Sequence, residues 1–167
     1  TMVMLVKCLI DDPDIVLPRV LVVTDRRDLD KQISDTFAAC NIKKDVRRTT
    51  SARELLRLIR EKDQRVITAL IHKFEPDLKS QPPPVHGRFY IFVDECHRTQ
   101  GGDMNRQMKR WMENGIFIGF TGTPLLRKDK RTTRDVFGTY IHTYKFDEAV
   151  ADGVILDLKY EARTVPQ

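Results

Sequence analysis

Two adjacent carboxylates at the end of an apolar run are the residues of this sequence best suited to chemistry. They are Asp94 and Glu95, within Arg88–Gly102 (RFYIFVDECHRTQGG). Phe89–Val93 is short, continuous and rich in aromatic and β-branched residues, which predicts a strand buried on both faces. The pair then falls at the carboxyl end of that strand, where ligands bind in open α/β sheets. Asp94 is placed to hold Mg2+, directly or through its water. Glu95 is expected on the other side of the strand end, where it could orient or deprotonate a water. That division of labour suits phosphoryl transfer, in which metal, water and phosphate need positioning. Taken alone, the pair also describes a strand ending in a polar turn, with Asp94 capping the next segment.

Positioning these carboxylates takes a sheet, and the chain supplies its strands. Arg19–Thr24 (RVLVVT), Arg65–Ile71 (RVITALI) and Ile116–Thr121 (IFIGFT) are further apolar runs of strand length. Helices are expected between them. Thr1–Ile10 is apolar all round, with Lys7 its only charge, and reads as a buried helix. Asp25 is expected to cap a helix over Arg26–Cys40, where Leu29, Ile33 and Phe37 follow helical spacing. Residues 41–50 carry Lys43, Lys44, Arg47 and Arg48 and read as a solvated loop. Ser51 opens a helix over Ala52–Lys62, with Leu55, Leu56 and Ile59 inward and Glu54 completing a capping box. Asp103 caps a helix over Met104–Glu113. Phe146–Asp152 reads as a short helix ended by Gly153, and Val154–Arg163 as a strand leaving the domain. Apolar strands alternating with helices predict an α/β fold, a parallel sheet with helices on both faces and right-handed crossovers.

Composition narrows the classes. At 167 residues the chain is long enough for one domain with a real core, and 41% hydrophobic with 32% charged residues argues against disorder. No apolar run approaches the roughly 18 residues of a membrane span. Cys8, Cys40 and Cys96 are scattered, without metal-ligand spacing, which fits a reducing cytosol. A net charge of +5 permits nucleic-acid binding without requiring it. Arg26 and Arg27, at a strand-to-helix junction, could hold a nucleic-acid phosphate or form a charged, solvated first turn. The basic run Arg127–Arg134 (RKDKRTTR) admits the same two readings, a solvated loop or a DNA-facing one.

In context, Asp94-Glu95-Cys96-His97 resembles motif II of superfamily 2 helicases and translocases, in its DECH form. Thr121-Gly122-Thr123, on the strand after it, resembles their motif III. Nearly the whole chain resembles the first RecA-like motor domain of the restriction subunit of type I restriction-modification enzymes. Four stretches carry the likeness in order: VLVVTDRRDLDKQ (Val20–Gln32, motif Ia), VITALIHKF (Val66–Phe74), FVDECHRTQGG (Phe92–Gly102) and IGFTGTPL (Ile118–Leu125). The tail FGTYIHTYKFDEAVADGVILDLKYEAR resembles the crossing toward a second motor domain.

The resemblance implies an ATP- and Mg2+-dependent translocase of double-stranded DNA, joined to an endonuclease, cytoplasmic, and working with methylase and specificity subunits. It implies that Asp94 coordinates Mg2+, that Glu95 is the catalytic base and that His97 joins them at the nucleotide. Thr121, Gly122 and Thr123 would couple nucleotide state to DNA contact. Arg26, Arg27, Lys73, Arg127 and Lys128 would meet the DNA backbone. Residues 1–145 would be motor domain and 146–167 the crossing segment. The chain has no Gly-Lys dipeptide and hence no GxxxxGK[ST] phosphate loop. In the family that loop lies just before the helix corresponding to Thr1–Ile10, so the resemblance implies a piece of a longer protein, inactive by itself. Two other readings stand beside it: another DECH-box helicase, such as one acting on RNA, and a non-enzymatic nucleic-acid-binding module.

Overall fold

In a computed structural model, which describes residues 1–40, 45–74, 82–96, 102–123 and 133–158, the four apolar runs become strands of one sheet. They are β1 (Pro18–Thr24), β3 (Val66–Leu70), β4 (Arg88–Val93) and β5 (Ile116–Gly119). A short strand, β2 (Val46–Arg48), completes the order β2-β3-β1-β4-β5, and every pair is parallel. The loop expected over residues 41–50 is thereby corrected at Val46–Arg48, while residues 41–44 lie outside the described residues. Among the described residues strand β2 pairs on one side only, with β3, and an edge strand tolerates the charged side chains of Arg47 and Arg48.

Strands β1 and β3 are buried at every position because helices cover both faces of the sheet. On one face, Val20, Val22, Val66 and Phe92 pack with Val6 and Ile10 of α1 (Met2–Asp11) and Phe37 of α2 (Arg27–Ala39). On the other, Leu21, Val23, Ile67 and Ile91 meet Leu55, Leu58 and Ile59 of α3 (Ala52–Arg60). Met108 and Trp111 of α4 (Asp103–Trp111) join that core. The two cores take alternate residues along each strand because successive side chains leave opposite faces.

Helix α1 is not buried all round: only Val6 and Ile10 are, and Met4 is 73% exposed. A helix lying on a sheet covers one stripe, whatever its composition. In α3 the fully buried residues are Leu55, Leu58 and Ile59, with Leu56 only partly covered. Its cap is shifted by one residue. The Ser51 hydroxyl accepts from the Glu54 amide at 3.1 Å, but the Glu54 carboxylate accepts from Thr50, at its amide (2.7 Å) and its hydroxyl (2.6 Å). A short helix, α5 (Thr133–Phe137), and α6 (Phe146–Ala151) follow β5. Residues 154–158 of the strand expected after α6 form none. The amides of Val154 and Ile155 instead turn back to the Ala149 carbonyl, around Gly153 at φ +69°. Residues 159–163 of that expectation lie outside the described residues. Among the described residues no helix is long and apolar enough to cross a membrane.

The amino end of β1 is held by a buried cation. Arg19 is 2% exposed, and its guanidinium donates to the carbonyls of Leu58 (2.7 Å), Ile59 (2.9 Å), Gln64 (2.9 Å) and His86 (3.1 Å). Leu58 and Ile59 lie in the last turn of α3, where carbonyls lack helical partners and the helix dipole favours a cation. The guanidinium also lies 4.3 Å from the centroid of the Phe89 ring. Burial lowers its pKa to about 10, opposed by Glu61 and Asp63, so it stays charged at neutral pH. Replacing Arg19 by Leu is expected to cost about 3 kcal/mol in urea denaturation, because buried carbonyls lose their donors. Glu54 gives a pH-dependent counterpart. Its hydrogen bonds from Thr50 hold its carboxyl below the ordinary 4.5. The ionised form therefore stabilises the fold at neutral pH, and that contribution is lost as pH falls through the folded pKa. Thermal melts of Glu54→Gln should show a lower midpoint at pH 7, with the difference closing in acid.

Candidate functional site

Asp94, Glu95 and Cys96 form a turn at the carboxyl end of β4. It is tied on both sides. The Asp94 amide donates to the Val23 carbonyl of β1 at 2.9 Å, and the Cys96 amide to the Phe120 carbonyl, just past β5, at 3.0 Å. The Phe120 amide returns a bond of 2.9 Å to Val93. Between these anchors Glu95 takes φ +45°, a left-handed conformation that a side chain bearing Cβ enters at a cost of roughly 1–2 kcal/mol. The two carboxylates are thus set by backbone bonds to neighbouring strands rather than by a free loop.

Asp94 is half-buried, and desolvation, the largest cause, raises its pKa. The Glu95 amide, donating to it, opposes that shift, while the charges of Glu95 and Asp25 add to it. Asp25 is a member of the site that sequence reasoning treated only as a helix cap. It comes close because Val23 is in register with Val93, so the segments leaving β1 and β4 lie side by side. Helix α2 itself begins at Arg27. No local pattern could have found this neighbour, since it depends on the register of two strands far apart in the chain.

A carboxylate raised by burial and by other anions is a place where a cation gains. Among the described residues, no three His, Cys, Asp or Glu side chains converge closely enough to hold a metal by themselves. Mg2+ keeps most of its water and needs only one or two protein carboxylates beside substrate phosphates, a demand that a half-buried carboxylate such as Asp94 could meet.

Thr121-Gly122-Thr123 follows β5, and the Thr123 amide donates to the Thr121 hydroxyl at 3.1 Å. The bond from Cys96 to Phe120 therefore joins the carboxylate turn to the residue preceding Thr121. Contact is closest at Gly119. A Cβ there would lie 2.8 Å from the Cys96 sulfur and 3.0 Å from the Phe137 ring of α5. Cys96 is fully buried, and burial pushes its thiol up to about 11, so it serves as packing rather than as a nucleophile.

The expected nucleic-acid contacts divide. Arg26 and Arg27 are exposed at the start of α2, as a backbone contact requires. Lys73 is not presented in that way. It is 8% exposed, and its ammonium donates to the Thr49 carbonyl, which commits it to an internal partner. His97, Arg127 and Lys128 lie outside the described residues.

The sequence pattern of the SWI2/SNF2 ATPase family matches residues 1–167. Similar curated proteins are endonuclease subunits of type I restriction enzymes. One from Staphylococcus aureus strain COL is 34% identical over 148 residues, 84% of this chain, and one from Staphylococcus saprophyticus is 31% identical over the same share. The HindI endonuclease subunit of Haemophilus influenzae is 33% identical over 92% of this chain. The chain spans 16% of the length of each. The likeness to restriction subunits drawn from the motifs and the α/β fold are therefore both met.

Gly119→Ala tests the closeness of the two motif strands. It is expected to cost about 2 kcal/mol in chemical denaturation by overpacking Cys96 and Phe137. Cys96→Ala in the same chain should recover part of that loss.

Proposed function

The chain belongs to the SWI2/SNF2 ATPase family, and from that premise we propose that it is part of the ATP-driven DNA-translocating motor of a type I restriction endonuclease subunit. The observation that carries this reading is the acidic turn at the carboxyl end of a central parallel strand, hydrogen-bonded to the strand end that leads into Thr121-Gly122-Thr123.

Asp94, whose burial disfavours an isolated negative charge, would hold Mg2+. When bound, the metal supplies charge neutralisation on the nucleotide phosphates. Glu95 orients the attacking water and accepts its proton, and the turn fixes where that acceptor stands. His97, Thr121 and Thr123, with Gly122 between the two hydroxyl residues, relay nucleotide state to the DNA side. Arg26 and Arg27 bind the backbone of duplex DNA, joined by Arg127 and Lys128. Residues 1–145 form the motor domain, and 146–167 lead toward a second one. The longer protein works in the cytoplasm with methylase and specificity subunits and cleaves DNA. Lacking a phosphate loop in its 167 residues, the chain by itself turns over ATP negligibly.

The test is Mg-ATP hydrolysis by the full-length subunit with duplex DNA, beside its Glu95→Gln variant. Turnover should fall by a factor of roughly 100 or more in the variant, the scale of losing a positioned base. Unchanged turnover would overturn the assignment of Glu95. Stimulation by single-stranded RNA in preference to duplex DNA would favour an RNA helicase instead.

A further inference from the structure

Beside the exposed Arg26 and Arg27 lies a charge cluster, built around one buried carboxylate, that the proposed chemistry does not use. Asp30, in the first turns of α2, is 1% exposed. One carboxylate oxygen accepts from Arg48 Nε at 2.5 Å, and the other is buried with no hydrogen-bond partner among the described residues. Arg48 ends β2, and Lys73 follows β3 with its ammonium on the Thr49 carbonyl. Asp30 is the strongest attraction acting on the Lys73 charge, Glu54 adds a weaker one, and Arg48 and Arg27 oppose both. The Asp30 amide in turn donates to the Arg26 carbonyl at 3.1 Å, closing the helical turn that begins there. A chain of direct bonds thus runs from the edge of the sheet, through a buried carboxylate, to the backbone of Arg26.

Stability alone is a poor explanation for such a cluster, since an ion pair with one partner exposed contributes little and the buried carboxylate keeps its desolvation cost. A fixed position for the first turn of α2 explains it better. We propose that Asp30 is a positioning residue: held by Arg48, it sets the turn at the start of α2 that presents Arg26 and Arg27 to a nucleic-acid backbone. This rests on the reading that Arg26 and Arg27 contact duplex DNA.

The experiment uses the full-length subunit and measures duplex binding as a function of salt, together with DNA-stimulated and DNA-free ATP hydrolysis. Asp30→Asn keeps the shape and an acceptor for Arg48 but removes the charge. The duplex concentration for half-maximal stimulation is expected to rise about tenfold, with the DNA-free rate unchanged. The slope of log affinity against log salt should fall by about one or two phosphate contacts. Asp30→Asn, Arg48→Gln and Lys73→Met combined remove all three charges and guard against a simple folding defect. This triple variant should regain thermal stability without regaining the salt slope. An unchanged slope in Asp30→Asn, or recovery of both properties in the triple variant, overturns the proposal. Arg26→Gln with Arg27→Gln separates the two levels. If that pair lowers the slope and Asp30→Asn does not, the positioning role alone fails. If the pair has no effect, the DNA contact and the positioning role fall together.

Discussion

The pairing of β1 with β4 is the constraint from which the remainder follows. Six residues of each run in parallel register, from Pro18 beside Arg88 to Val23 beside Val93. Both strands have neighbours on both sides and helices over both faces, so neither can slip by one residue without turning its apolar set the wrong way. That fixed register ends both strands together, and the chain leaves them as Thr24-Asp25 and Asp94-Glu95. The acidic site is a consequence of where two strands stop.

The two ends of this pair have opposite character. At the amino end, Arg19 is fully satisfied by carbonyl oxygens and by the Phe89 face, and serves the fold. At the carboxyl end, Asp94 is drawn from water toward other anions and is left in need of positive charge. In a parallel sheet the strand dipoles and the connecting loops make the ends inequivalent, and ligand chemistry gathers at the carboxyl end. Rigidity below and unmet electrostatic demand above are complementary, because a preorganised site needs a base that does not relax.

Much of this was legible in the sequence, for identifiable reasons. The central strands were visible because burial on both faces makes them continuously apolar, and Ser51 announced α3 through a local hydrogen bond. Strand β2 was hidden because an edge strand of Val46, Arg47 and Arg48 looks like a loop until β3 lies beside it. The exposed face of α1 was missed because composition reports apolarity and not what covers it. The carboxylates were found from type and position. Asp25 and the inward turn of Lys73 were not, since both depend on what the fold brings near from distant parts of the chain.

The order of strands in the sheet is not their order in the chain, and this bears on synthesis. Strand β1 emerges early, yet its partners are β3 and β4, which begin at Val66 and Arg88. Until β3 has been made β1 has no partner, and until β4 has been made one of its sides stays open. Non-local parallel pairing of this kind is slow and leaves hydrophobic surface open meanwhile. The growing chain thus leaves the hydrophobic side chains of β1 open until its partners have been made. The acidic turn, made last among the paired ends of β1, β3 and β4, closes only when that interval is over.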